Sequence, residues 1–457
     1  MIRDREFYKT IFRISLPSAF QALISFLVVV ADDVMVSLLP NATVAQAAVS
    51  QVNSITAFYT ATLGGLVSGS AVLIAQYWGK KDMVRIRRIF TSVLWIAALV
   101  ALVFMAAAKL LPEAVVGIVI DRTETDVVAL ALEYFAIVCF SYLPYAVTTA
   151  LIGMLRSIEV VRITLVTTIA ALFVNIGLNY VLIFGKLGLP AMGVRGAAVA
   201  TLVTRIVEML IVWVFTFKIQ KKLEIRPKDL LHIDRTLTGD YCKYGLPVGL
   251  TDMQWALIGM LKAAIIGQMG AAFMAANNIA TSMANLGTMF TFALAGGACV
   301  VVGKAVGKGD YDTARAYSKT IQIMFFGIGL VMAGLVFLLR VPFTRMYGSS
   351  ANPEVFDLTV KMISLLAVTL IGTSYHASCF VGINRGAGDS RFVMIVDMIC
   401  GWLVVLPATL LAAFVFHAPL PIVFLCTRID QCFKWLIAFI RLRGNKWIKN
   451  VTRDGAA

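Results

Sequence analysis

Apolar runs of about 20 residues follow one another along the whole 457-residue chain, and that recurrence leaves few folds open. A run of this length crosses a hydrocarbon core about 30 Å thick as a helix. Backbone N–H and C=O groups in lipid must bond within their own segment, so such runs become helices. Twelve are legible, at 14–38, 46–76, 89–111, 128–152, 163–185, 193–217, 245–268, 274–303, 320–340, 358–382, 392–416 and 419–441. The expected fold is therefore an all-α polytopic membrane protein. The longest runs predict tilt, kinks or ends projecting into water, and Pro17, Pro144, Pro247 and Pro407 lie where kinks would fall. With 60% hydrophobic and 14% charged residues, against about 45–50% and about 25% in soluble domains, no soluble domain is left over.

The net charge of +15 sits in short loops between the runs. Alternate loops are basic: 1–13 with Arg3, Arg5, Lys9 and Arg13, 79–88 with Lys80, Lys81, Arg85, Arg87 and Arg88, then 153–162, 218–243, 304–319, 385–391 and the tail after Arg441. The opposite loops at 39–45, 269–273 and 417–421 carry no Lys or Arg. This bias orients membrane proteins, and it predicts an even number of spans with both termini cytoplasmic in the cell membrane. It also argues against nucleic acid as a partner, because no basic domain or readout motif accompanies the charge. Residues 1–13 read as a basic amphipathic lead-in rather than a cleavable signal. The seven cysteines form no CxxC pair and read as small buried hydrophobes.

The two halves repeat when slid by about 229 residues, as from Gly153 to Gly382. Leu16-Pro17 matches Leu246-Pro247. SGSAVLIAQYWGKKD (68–82) matches GGACVVVGKAVGKGD (296–310), and GMLRSIEVVR (153–162) matches GINRGAGDSR (382–391), with Arg156 in register with Arg385. Six runs per half give a parallel repeat: an N-lobe at 1–217, a cytoplasmic linker at 218–243 limited by Pro227, and a C-lobe at 244–457 with a basic tail. Duplication with a site at the repeat interface is transporter architecture. The glycines of the 296–310 block do not satisfy GxxxxGK[ST] and follow no strand, so they read as close helix packing and a tight turn rather than a phosphate loop.

ADDVMVS (31–37), the SGSAVLIAQYWGKKD block, NIGLNYVLIFG (175–185), GVRGAAVATLVTR (193–205) and NRGAGDSR (384–391) together resemble the multidrug and toxic compound extrusion (MATE) family across essentially the whole chain. The resemblance implies twelve helices in two six-helix lobes forming a V around a central cleft. It also implies export of amphipathic, often cationic, compounds against inward H⁺ or Na⁺, by alternating access. The family's N-lobe cation site maps onto Asp32, onto Asn175 and Asn179, and onto Thr201. Two departures stand out: Asn179 occupies a position where many relatives carry a second carboxylate, and Asp33 stands where Thr is usual.

Read from the residues themselves, Asp32 and Asp33 are acids at bilayer depth, which cost roughly 2.5–3.5 kcal/mol to insert and default to function. They lie about 100° apart round a helix and so cannot serve one partner equally. Asn175 and Asn179 share a helix face. Asp252, Lys262, Met253, Trp255, Met283, Met289 and His376 are candidates for the substrate cleft, since thioethers and aromatic faces suit promiscuous and cationic ligands. Sliding Asp32 by 230, as the match of Pro17 to Pro247 requires, reaches Lys262, so the second half carries a cation where the first carries an acid. Lys262 is expected to pair with an acid, to touch anionic parts of a substrate, or to snorkel. Asp397 is a further intramembrane acid, and Arg205, Glu208, Arg428 and Asp430 read as structural. No metal constellation surrounds the three histidines, so beyond H⁺ or Na⁺ at Asp32 no cofactor is expected. No HExxH or Ser/His pairing supports an enzyme. The partners expected are amphipathic small molecules and membrane lipid, with the protein a monomer; a lipid-linked saccharide flippase is the alternative.

Overall fold

A computed structural model describes residues 5–39, 42–118, 124–223, 225–346 and 352–453, all of it helix and connection, with no strand among those residues. The helices in chain order are α1 (Arg5–Ser37), α2 (Ala42–Lys80), α3 (Met83–Leu110), α4 (Pro112–Val116), α5 (Thr125–Val138), α6 (Tyr142–Ser157), α7 (Arg162–Phe184), α8 (Val194–Val214) and α9 (Arg235–Tyr244). They continue as α10 (Leu246–Gly267), α11 (Ala271–Gly307), α12 (Tyr311–Met346), α13 (Pro353–Ala377), α14 (Ser390–Met398), α15 (Leu406–Leu410), α16 (Leu420–Cys426) and α17 (Lys434–Arg443). Among the described residues ten helical stretches are long and apolar enough to cross a membrane. Two of the twelve expected runs fall outside that set. The 245–268 run is the single helix α10, which carries Asp252 and Lys262. The 419–441 run is broken into α16, a 3-10 turn at Ile429–Cys432, and α17, where Arg428, Asp430 and Lys434 interrupt the apolar sequence. Wide π turns at Ser378–Asn384, Ile399–Val405 and Leu411–Val415 extend α13, α14 and α15.

The chain forms two compact units. The first comprises Met1–Ala19, Ala71–Asp82 and Cys242–Ala456. Its core is α11, α12 and α13 packed side by side, with α10 against α14; Ile258, Met283, Leu366 and Leu370 fill one apolar cluster and Phe7, Ile11, Leu294 and Phe325 another. The end of α2 crosses α11 through the repeated glycines. A Cβ on Gly79 would collide with the Lys304 backbone, and one on Gly307 with the Gln76 backbone, so the two repeat blocks meet each other through matching positions. Gln76, fully buried, also holds the C-terminal tail. Its Nε2 donates to Gly386 O at 3.1 Å and Lys449 O at 3.2 Å, and its Oε1 accepts from Val451 N at 2.9 Å. Asp389, buried, accepts from Arg441 at 2.8 Å and Lys449 at 2.6 Å.

The second unit comprises Phe20–Ser70 and Met83–Tyr241. Here α3 packs on α6, and α8 packs on α5, α6 and α7. Tyr59 stacks on Tyr142 at 4.3 Å between centroids and donates its hydroxyl to Tyr142 O at 2.6 Å. The 218–243 segment is not a bare connection. It docks on α3 through Thr91 to Asp229 O, Trp95 to Leu230 O, Ser92 to Thr238, and Arg88 to Asp234. Asp234 starts α9 by accepting the amides of Thr236 at 2.9 Å and Leu237 at 3.2 Å, as an N-cap does.

The repeated arginines show how the duplicated frame diverged. In the second unit Arg156 donates to the neutral Gln21 of α1 at 3.2 Å. In the first unit its counterpart Arg385 pairs with the carboxylate of Asp252 on α10 at 2.8 Å.

Candidate functional site

In the second unit α7 presents Asn175 and Asn179 one turn apart, both buried, and α1 brings Asp32 to them. Asn179 Nδ2 donates to Asp32 Oδ1 and, at 3.2 Å, to Asn175 Oδ1. The amide is fully used at its nitrogen end. Its oxygen, Asn179 Oδ1, is buried with no hydrogen-bond partner. A buried acceptor left unmade costs about 1–3 kcal/mol, and a half-turn of the amide would point that oxygen at Asp32 and Asn175. Three oxygens would then converge, an arrangement that needs a proton on Asp32 or a hard cation between them.

Thr201, on α8, is half-buried and makes no hydrogen bond to the cluster among the described residues. The side chain of Asp33 lies outside the described residues. Two further α8 residues, Arg205 and Glu208, lie near this cluster. Arg205, one turn beyond Thr201, pairs with the buried Glu208 at 2.7 Å and lies close enough to Asp32 for their charges to attract. It also faces the Tyr145 ring at 4.9 Å. Glu208 thus holds Arg205 as its counter-ion within α8. Its i, i+3 spacing from Arg205 is visible in the sequence; the charge interaction of Arg205 with Asp32 is not.

Of the candidates from the other half, Trp255, Lys262 and His376 lie around Lys434 in the first unit. This fully buried lysine bridges Asp397 at 2.6 Å and Asp430 at 3.1 Å, and lies 4.6 Å from the Trp255 ring centroid. Lys262 Nζ donates to Thr427 O at 3.3 Å and stands 5.9 Å from the same ring. His376 is buried, with Nδ1 3.3 Å from Gly372 O, and feels the charges of Lys434, Asp430 and Asp397. Asp252 is committed to Arg385. Met283 is core, packed in the cluster with Ile258 and Leu370, whereas Met253 and Met289 are half-buried. Among the described residues no group of three or more His, Cys, Asp or Glu is placed to hold a metal.

Known proteins bear on this geometry. The MatE family model matches residues 17–181 and again 247–430, once per repeat. A probable multidrug resistance protein NorM of Agrobacterium fabrum is 28% identical over 72% of this chain and 71% of its own length. Another, from Bradyrhizobium diazoefficiens, is 28% identical over 90% and 87%. Among solved structures, a MATE in the bent conformation superposes with a TM-score of 0.84 at 19% identity, covering 96% of this chain and 95% of that one. An outward-facing multidrug resistance MATE family transporter gives 0.83 at 20% identity, covering 98% and 97%. Matched in both repeats and along nearly its full length, the chain belongs to the MatE family of membrane transporters.

Proposed function

We propose that the protein is a secondary active multidrug exporter that couples outward movement of amphipathic compounds to inward H⁺ or Na⁺ through Asp32. The observation that carries this reading is the Asp32–Asn179–Asn175 cluster in a MatE chain, with an amide oxygen left unpaired beside a carboxylate. The relatives named as multidrug resistance proteins support the substrate class. Loading Asp32 lets the Asn179 amide turn over and changes the packing of α1 against α7. A ligand shifts a conformational equilibrium only by its differential affinity for the two states, so the cation must bind one arrangement better than the other. The donor-tied and cation-loaded forms supply that difference. Arg205, held by Glu208, is a fixed positive charge near Asp32 that competes with an incoming cation. The polytopic chain is placed in the cytoplasmic membrane as a monomer, with α10 and the α16–α17 segment completing twelve spans and both termini cytoplasmic.

The test is drug efflux from proteoliposomes under an imposed pH or Na⁺ gradient. Asp32→Asn is expected to abolish gradient-driven efflux while the purified protein stays monodisperse. Full coupled efflux by this variant would refute the assignment.

A further inference from the structure

Charged groups in the interior of a membrane protein are normally paired with one another or with backbone. In the first unit Asp252 has Arg385, and Asp397 and Asp430 share Lys434. Asp430 Oδ2 also accepts from Gln431 Nε2 at 2.8 Å. Two cations beside this network have no ion-pair partner among the described residues. Lys262 donates to a single backbone carbonyl, that of Thr427. Arg428, the next residue in the chain, donates only its Nε to Thr369 Oγ1 at 3.3 Å. The two are close enough to repel, and Asp430 acts on both from beyond ion-pair distance. Three cations, Lys262, Arg428 and Lys434, thus stand against two carboxylates, Asp397 and Asp430, a local excess of one positive charge.

Both unpaired cations are half-buried, so they are neither snorkelled into water nor sealed off. Lys262 keeps two N–H donors and Arg428 its terminal fork, the planar pair that matches a carboxylate. The break between α16 and α17 brings this about, since Thr427 ends α16 and its carbonyl holds Lys262 next to Arg428. The indole of Trp255 lies alongside Lys262 as an apolar wall.

We propose that Lys262 and Arg428 form a carboxylate-binding site, so that the first unit accepts anionic or zwitterionic amphipathic molecules, with Trp255 receiving their aromatic part. This deepens the efflux reading and rests on it for the physiological role of the ligand. The site belongs to the second repeat, where the slid position of Asp32 is Lys262. One half therefore handles the coupling cation and the other an acidic group of the cargo.

The test uses the full-length protein in detergent and one rhodamine in two forms, with a free carboxylate and as its methyl ester, followed by quenching of tryptophan fluorescence. Charge-assisted hydrogen bonds contribute enough that Lys262→Met and Arg428→Gln should each weaken the free-acid dye by about ten- to a hundredfold. The ester should move by less than about twofold, and Lys262→Arg should keep acid binding near wild type. Equal weakening of both dyes, unchanged acid binding in the two neutral variants, or a wild-type protein that does not bind the free acid would each overturn the site. Should Lys262→Met fail to purify, Arg428→Gln and Lys262→Arg give the same discrimination. Failure of the efflux reading is separate: the acid dye would bind in detergent, discriminate between variants, and yet not move in proteoliposomes.

Discussion

Lys434 offers the sharpest test of the first unit because it alone neutralises two buried acids. Replacing it with Met keeps most of the side-chain length and volume while removing the ammonium. Asp397 and Asp430 would then remain inside the unit, both at most a few per cent exposed, with Asp430 left only the Gln431 amide. Breaking a buried pair from one side costs about 3–5 kcal/mol, since the surviving charge has lost its compensation, and here two bridges go at once. Part of the loss is recovered as α10, α13 and α17 relax, so about 4 kcal/mol is a working figure. At about 2–4 °C per kcal/mol for a unit of this size, the melting temperature should fall by about 8–16 °C. Thermal unfolding in detergent, read by size-exclusion chromatography after heating, measures it. The decisive control is the triple variant Lys434→Met with Asp397→Asn and Asp430→Asn, which removes all three charges. Replacing a complete ionic group is close to neutral where breaking it is not, so the triple variant should regain most of the lost temperature. If Lys434→Met melts within about 2 °C of wild type, or the triple variant is no better than the single, the network does not carry the load assigned to it.

Further expectations concern the 218–243 segment and the C-terminal tail. Burial pushes the Asp234 carboxyl up, but the amides of Leu237 and Thr236 and the Arg88 guanidinium outweigh it and hold the group below the usual carboxylate range. A depressed folded value gives stability that is present above the unfolded value near 3.9 and lost as pH falls through the folded one. Hydrogen-exchange protection of α9 should therefore hold at neutral pH and decline below about pH 4, and Asp234→Ala should remove about 1 kcal/mol of it at pH 7. Gln76→Leu deletes three hydrogen bonds, two of them to the tail, at about 1 kcal/mol each. Tryptic cleavage at Lys446 and Lys449 should accelerate by about thirtyfold, and cleavage at the wild-type rate would show that other contacts, such as those of Asp389 and Tyr77, hold the tail.

Much of this architecture is legible in the residues because lipid imposes so few solutions. Length and apolarity mark the spans, loop charge orders them, and the 68–82 and 296–310 blocks announce a duplication whose glycines then meet each other across α2 and α11. Asp32, Asn175 and Asn179 are also legible, since an acid and two amides at one face are anomalous in lipid. What escaped is contact between distant segments. Glu208 and Arg205 look like an ordinary i, i+3 pair, and nothing local says that Arg205 faces Asp32. Lys434 lies inside the 419–441 run, and its partner Asp397 is on a distant segment that its own position does not reveal. Its burial follows from the break after Cys426, and charge spacing within 428–434 gives no sign of whether a helix continues or folds back into a 3-10 turn.

The duplicated frame carries different side chains at matching positions in its two halves. Arg156 and Arg385 occupy the same place, yet one rests on Gln21 and the other on Asp252. Asp32 and Lys262 are likewise related by the repeat, and each is surrounded by groups of the opposite demand. Beside Asp32 stand the Asn179 amide, which donates to it, and the Arg205 cation. Around Lys262 are Arg428 and a Lys434 whose counter-ions are already spent. On the proposed reading, a proton or sodium ion loading Asp32 changes the charge in the second unit by one, whereas an acidic group of the cargo meets Lys262 and Arg428 in the first.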